Sequence, residues 1–249
     1  MNLRISGEIL ESFPATRVGV VIATQVDNTG GSTLLSEIKE RAIEDLRRKL
    51  LACPLDEQPN IAAWRETYRA FGVNPKRLRP SAEALARRIS KGRPLPEISK
   101  LVDSYNVASV CHLLPVGAYD VAKLEGPVEL RFSSGGEAFR PLGEEHPTET
   151  TAEGEVVYSD DESVLTRCWN HRDGDRTKVT PESTTVVILC EAAHPSIPTD
   201  DLRSCQALLR RLVAEVCNGQ AEALLLDRDR PEVEVGTGPS EPSGPVREA

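Results

Sequence analysis

Hydrophobic periodicity changes character near Pro115, and that change leaves few architectures open. Before it, Leu34, Leu35, Ile38, Ala42, Leu46 and Leu50 recur at helical spacing, predicting an amphipathic helix over about 32–52. Ser32 stands ahead of it as an N-cap, behind a turn holding Asn28, Gly30 and Gly31. A second helix is expected over 61–71, closed by Gly72. Ser81 is read as the cap of a third, with Ala82, Leu85, Ala86 and Ile89 on its apolar face, and a fourth runs over about 97–110. After Pro115 the runs are short and β-rich: VELRF, GEVVY, SVLTRCW and TTVVILCEA, parted by Gly, Pro, Asp and Ser. RVGVVIATQV, over 17–26, reads as a buried strand, and a last helix over 200–217 buries Leu202, Leu208, Leu209, Leu212 and Val216. Helices in one block and strands in another, without βαβ alternation, predict an α+β fold. The expectation is a single compact domain over 1–226, with a helical N-terminal half and mixed β layers. Residues 227–249, rich in Pro, Gly, Ser and Glu, are expected to form a disordered acidic tail.

Only ten of the 249 residues are aromatic, so the core must be mostly aliphatic. The net charge of −9 excludes a protein that coats nucleic acid over its whole surface, but it averages two unlike regions. Residues 65–100 hold ten bases against three acids, net +7, and residues 141–163 hold eight acids and no base. No apolar run approaches the ~20 residues a bilayer span needs, and MNLRISGEILESF has no long apolar signal core. No membrane partner and a cytoplasmic location are therefore expected. The six cysteines form no CxxC pair and read as reduced thiols. The four histidines never meet a Cys or His at ligand spacing, so no metal site is expected.

Two segments concentrate polar chemistry. In FGVNPKRLRPSAEALARRI, the bases Lys76, Arg77, Arg79, Arg87 and Arg88 flank a helix start and could meet phosphates. The competing reading is a solvated helix face, since no stacking aromatic interleaves them. WNHRDGDRTKVT, over 169–180, sets an indole, an amide, an imidazole and several charges between two strand-like runs. Its side chains either converge on a pocket or form a polar hairpin turn with Trp169 as plain core. GxSxG, HExxH, GxGxxG and the phosphate-loop pattern are all missing.

LVDSYNVASVCHLLPVGAYDVAKLEG, over 101–126, resembles the helix and loop of the B3/B4 domain of the phenylalanyl-tRNA synthetase β chain. Free-standing members of that family also carry YRAFG…RPSxEAL and WNxR…TK(V/I)T, present here over 68–85 and 169–180. The resemblance covers about residues 20–218. It implies an α+β module like the one that hydrolyses tyrosine wrongly esterified to tRNA(Phe) in the synthetase, here acting on a misacylated tRNA with the aminoacylated 3′ end as partner and no cofactor. By location it implies catalytic roles for Asn106, His171, Asp175 and Thr177, and substrate contacts from Gly117, Tyr119, Asn170, Arg172 and Lys178. It assigns the tRNA to Lys76, Arg77, Arg79, Arg87 and Arg88. Where the family commonly reads PLHAFD this chain reads PVGAYD, so Gly117 replaces a histidine and Tyr119 a phenylalanine. For the family's GGE segment the nearest match is Asp175 after Gly174. The alternative reading is a non-catalytic binder of tRNA or of a free amino acid. A third is a small-molecule pocket protein unrelated to RNA.

Overall fold

The computed structural model describes residues 1–236 and has the α+β architecture expected. The chain opens with β1 (Asn2–Ile5), α1 (Gly7–Ser12) and β2 (Arg17–Thr24). Four helices follow: α2 (Thr33–Ala52), α3 (Pro59–Ala70), α4 (Ser81–Ser90) and α5 (Lys100–His112). The β-rich half holds β3 (Val116–Asp120), β4 (Val128–Ser134), β5 (Ala138–Phe139), β6 (Glu149–Thr150) and β7 (Glu153–Ser159). It continues through β8 (Val164–Arg167), β9 (Arg172–Asp173), β10 (Val186–Ala192), α6 (Thr199–Cys217), β11 (Gln220–Leu226) and β12 (Glu232–Glu234).

Local chemistry explains the helix starts. Ser32 and Ser99 cap α2 and α5 through their hydroxyls, which accept from the backbone N–H of Leu35 and Val102. Pro59 opens α3 at a position where its missing N–H costs nothing. Ser81 is not a cap, contrary to expectation. Pro80 takes that place in an extended conformation, and Ser81 is the first helical residue. The backbone N–H of Ser81 donates instead to the Asn170 carbonyl at 3.2 Å, so a tertiary contact anchors the start of this helix.

Four strands form an antiparallel sheet in the order β11-β2-β10-β3. Every residue of β10 is buried, which requires cover on both faces. Helix α6 packs on one face, with α5 against it and α2 beyond. The second sheet, β12-β1-β4-β7-β8-β9, covers the other face near β3 and β10, as the pairing of Tyr119 with Tyr158 shows. Its strands are antiparallel except β1 and β4, which run parallel.

Two expectations are corrected. VGAYD, read as loop, is edge strand β3, because each of its residues finds a partner on β10. The tail does not begin at 227: β12 pairs with β1, and Val233 and Val235 are buried in the core. The expected disorder of residues 237–249 lies outside the described residues. No helix among the described residues is long and apolar enough to cross a membrane.

Candidate functional site

Strand geometry sets the first wall of the site. Gly117 and Tyr119 alternate on one face of β3, opposite Leu189 and Val187 of β10, and Glu191 follows on that same face. Cys190, between Leu189 and Glu191, points the other way toward Leu202 and Gln206 of α6. The second sheet supplies the facing wall through Tyr158, Thr166 and Asp173, the last two directly paired across β8 and β9. Between the walls lies a narrow cleft of about 50 Å³.

The segment Cys168–His171 closes one end. Cys168 and Trp169 both adopt left-handed backbone, with φ of 46° and 64°, a conformation that costs roughly 1–3 kcal/mol at each non-glycine residue. Buried contacts hold it. Trp169 is fully buried against Trp64, Phe13 and Phe71, and its backbone N–H donates to the Val156 carbonyl. The bend delivers Asn170 and His171 to the cleft.

Glu191 is the polar hub. Its Oε1 accepts from the Tyr158 hydroxyl at 2.5 Å and from Trp169 Nε1 at 3.0 Å, and its Oε2 accepts from Asn170 Nδ2 at 3.0 Å. The Tyr68 hydroxyl, shared between Asn170 Oδ1 and the Cys168 carbonyl, fixes which way that amide faces. Burial disfavours the Glu191 charge more than these donors restore it, so its pKa is pushed up to about 7. Asp173 has its pKa raised by burial as well, with one donor opposing the shift, the Thr166 hydroxyl at 2.8 Å. Since Thr166 gives its proton to the carboxylate, the Tyr119 hydroxyl donates to Thr166 Oγ1, at 2.7 Å.

His171 completes the cleft. Its Nδ1 lies 2.8 Å from the Arg79 carbonyl, which can only accept. Nδ1 therefore donates its N–H to that carbonyl, and Nε2 is the ring nitrogen left for another partner.

Four of the expected residues thus meet here: Gly117, Tyr119, Asn170 and His171. The others do not. Asp175 and Thr177 line a second, wider cleft of about 470 Å³ together with Gly174. Asp175 is tied to Lys178, Gly143 and Arg140, which hold its carboxyl below the usual range. Arg172 is exposed and paired with Glu149. Asn106 is buried on α5 away from the cleft lining. It is its neighbour Tyr105 whose hydroxyl feels the Asp173 charge.

In the basic segment, three of the five expected tRNA contacts, Arg79, Arg87 and Arg88, have partners within the chain. Arg79 and Arg87 converge with buried Arg65 on the fully buried Glu83, at 3.8, 3.2 and 3.1 Å. Arg88 donates to the Pro94 carbonyl. Lys76 and Arg77 stay exposed, with no ion pair among the described residues.

The B3/4 domain pattern matches residues 63–208, more than half of the chain. The chain belongs to the B3/4 domain family. The matched span holds every residue that lines the cleft. Among solved structures, an N-terminal fragment of the phenylalanyl-tRNA synthetase β-subunit from Pyrococcus horikoshii is similar, with a TM-score of 0.44 and 13% identity. That similarity covers 90% of this chain and 53% of the fragment, so the chain spans about half the fragment's length. No curated protein matches the sequence.

Glu191, Tyr158 and Thr166 escaped sequence reasoning. Glu191 sits at the end of VVILCEA, a run read as core strand. A carboxylate within a fully buried strand was the available signal. Among the described residues no group of three or more His, Cys, Asp or Glu could hold a metal ion.

Proposed function

We propose that this B3/4 protein binds aminoacylated tRNA and hydrolyses a misacylated ester in the cleft between β3, β10, β8 and the 168–171 bend. The observation that carries the reading is His171, oriented through Nδ1 by the Arg79 carbonyl, in one cleft with the buried carboxyl of Glu191 and the half-buried carboxyl of Asp173. In the reaction a water attacks the ester carbonyl and passes a proton to His171 Nε2. The bond from the carbonyl carbon to the ribose oxygen breaks, and the ribose oxygen takes that proton as it leaves. The products are the free amino acid and uncharged tRNA.

Docking follows from the same segment. Arg79 holds His171 and Ser81 lines the cleft, while Arg77 lies within roughly 7 Å of Arg79 along the chain. Lys76 and Arg77 thus place two free cations beside the cleft for the acceptor-end phosphates. Neutralising both charges is expected to weaken tRNA binding and to reduce the slope of log affinity against log salt by about 2.

Deacylation over a panel of mischarged tRNAs tests the enzymatic claim. His171→Ala is expected to slow turnover by about 10²- to 10⁴-fold while tRNA affinity holds. No turnover by the unmodified protein on any member would end it. The second reading is a non-catalytic binder of tRNA or of a free amino acid. It is favoured by Gly117, which brings no side chain to the cleft, and predicts salt-sensitive tRNA binding without release of amino acid.

A further inference from the structure

We infer that the cleft selects a short aminoacyl group presented with its α-ammonium at Asp173, and excludes aromatic rings. The inference rests on the site proposed above and names the class of substrate it takes.

Size comes first. At about 50 Å³ the cleft has one third of the roughly 150 Å³ that admits benzene in a protein interior. Its walls cannot readily give. Tyr119 and Tyr158 meet edge to face at 6.2 Å, and both hydroxyls are committed, one to Thr166 and one to Glu191. Trp169 and Leu189, which also line the cleft, are buried. A phenyl or phenol group would have to displace a hydrogen-bonded tyrosine, whereas hydrogen, methyl or hydroxymethyl groups need no rearrangement.

Charge complementarity comes second. Neither lysine nor arginine lines the cleft, although two carboxyls do. Glu191 spends both oxygens on Tyr158, Trp169 and Asn170. Asp173 accepts one side-chain hydrogen bond among the described residues, from Thr166, and so has acceptor capacity left. The space beside it is kept open by Gly117, where an added Cβ would stand 3.9 Å from Asp173 Oδ1. An ammonium group seated there would supply the missing cation, and the short side chain would occupy the remaining volume.

Non-hydrolysable 3′-aminoacylamido-adenosines, bound to the full chain and followed by calorimetry, separate this inference from the hydrolysis claim. Alanyl and seryl analogues are expected to bind at least tenfold tighter than the tyrosyl analogue. Replacing the alanyl α-amine by hydroxyl is expected to lose tenfold or more. Asp173→Asn should erase that amine preference while leaving the hydroxyl analogue's affinity unchanged. Tyr119→Ala should narrow the discrimination against the tyrosyl analogue. Equal binding of tyrosyl and alanyl analogues, indifference to the amine, or no binding of any analogue would each overturn the inference. Selective binding without turnover would retain it and remove only the hydrolysis. Should either variant fail to fold, the comparison of analogues on the unmodified protein decides.

Discussion

Glu191 shows how one side chain couples the site to the stability of the whole fold. Unfolded, its carboxyl ionises near 4.5, and folded it holds its proton up to about 7. The folded state therefore binds more protons across that interval. The stabilisation is complete below about pH 4.5, declines as pH rises toward 7, and is gone above it. The shift corresponds to about 3 kcal/mol of pH-dependent stability. Glu191→Gln removes the titrating group and should flatten the difference in unfolding free energy between pH 4.5 and 7.5 by about that amount. An unchanged pH profile in denaturant titrations would contradict the assignment. At this scale the sequence was informative where residue types cluster. Asn170 and His171 stood out because they are consecutive polar residues after Trp169, and Gly117 and Tyr119 because of the family pattern. The grouping of Glu191, Thr166 and Asp173 was illegible. They come from three strands, and nothing in linear spacing reports a distance set by sheet stacking.

Helix α4 carries the lesson at the scale of elements. Its bases looked like a nucleic-acid face, yet Glu83 draws Arg65 of α3 and Arg79 and Arg87 from either side into a buried cluster. Burying a carboxylate forces this arrangement, since an unpaired charge there would be far costlier than tying down three guanidiniums. Glu83→Ala is expected to lower stability by about 3–5 kcal/mol, read from denaturant unfolding. Because Arg79 also holds His171, the same variant should slow any deacylation beyond what its tRNA affinity explains. Helix positions themselves were readable from apolar spacing, as Thr33–Ala52 shows against the predicted 32–52. The cap of α4 was misread because its first N–H is satisfied by Asn170, 89 residues onward.

For the molecule as a whole, β1 and β12 join the two ends of the described chain. Val233 and Val235 enter the core beside Leu3, so ending the chain after Leu226 removes two buried valines and exposes the edge of β1. That truncation is expected to cost roughly 3–6 kcal/mol, seen as a lowered midpoint in thermal unfolding. Charge is settled at this scale too. Of the eight acids in 141–163, Glu149 and Glu155 are paired by Arg167, and Asp160 and Glu162 by Arg176. Both arginines lie outside the window in which the acids were counted.

Apolar periodicity alone sufficed for the helices, the separation of helical and β-rich halves, and so the α+β class, because burial of one face acts within a few residues. The family motifs marked the 169–180 segment. Which polar groups face one another was decided only by the stacking of two sheets and the left-handed turn at Cys168 and Trp169. Those contacts join residues dozens of positions apart, and their charges settle only against neighbours that folding supplies.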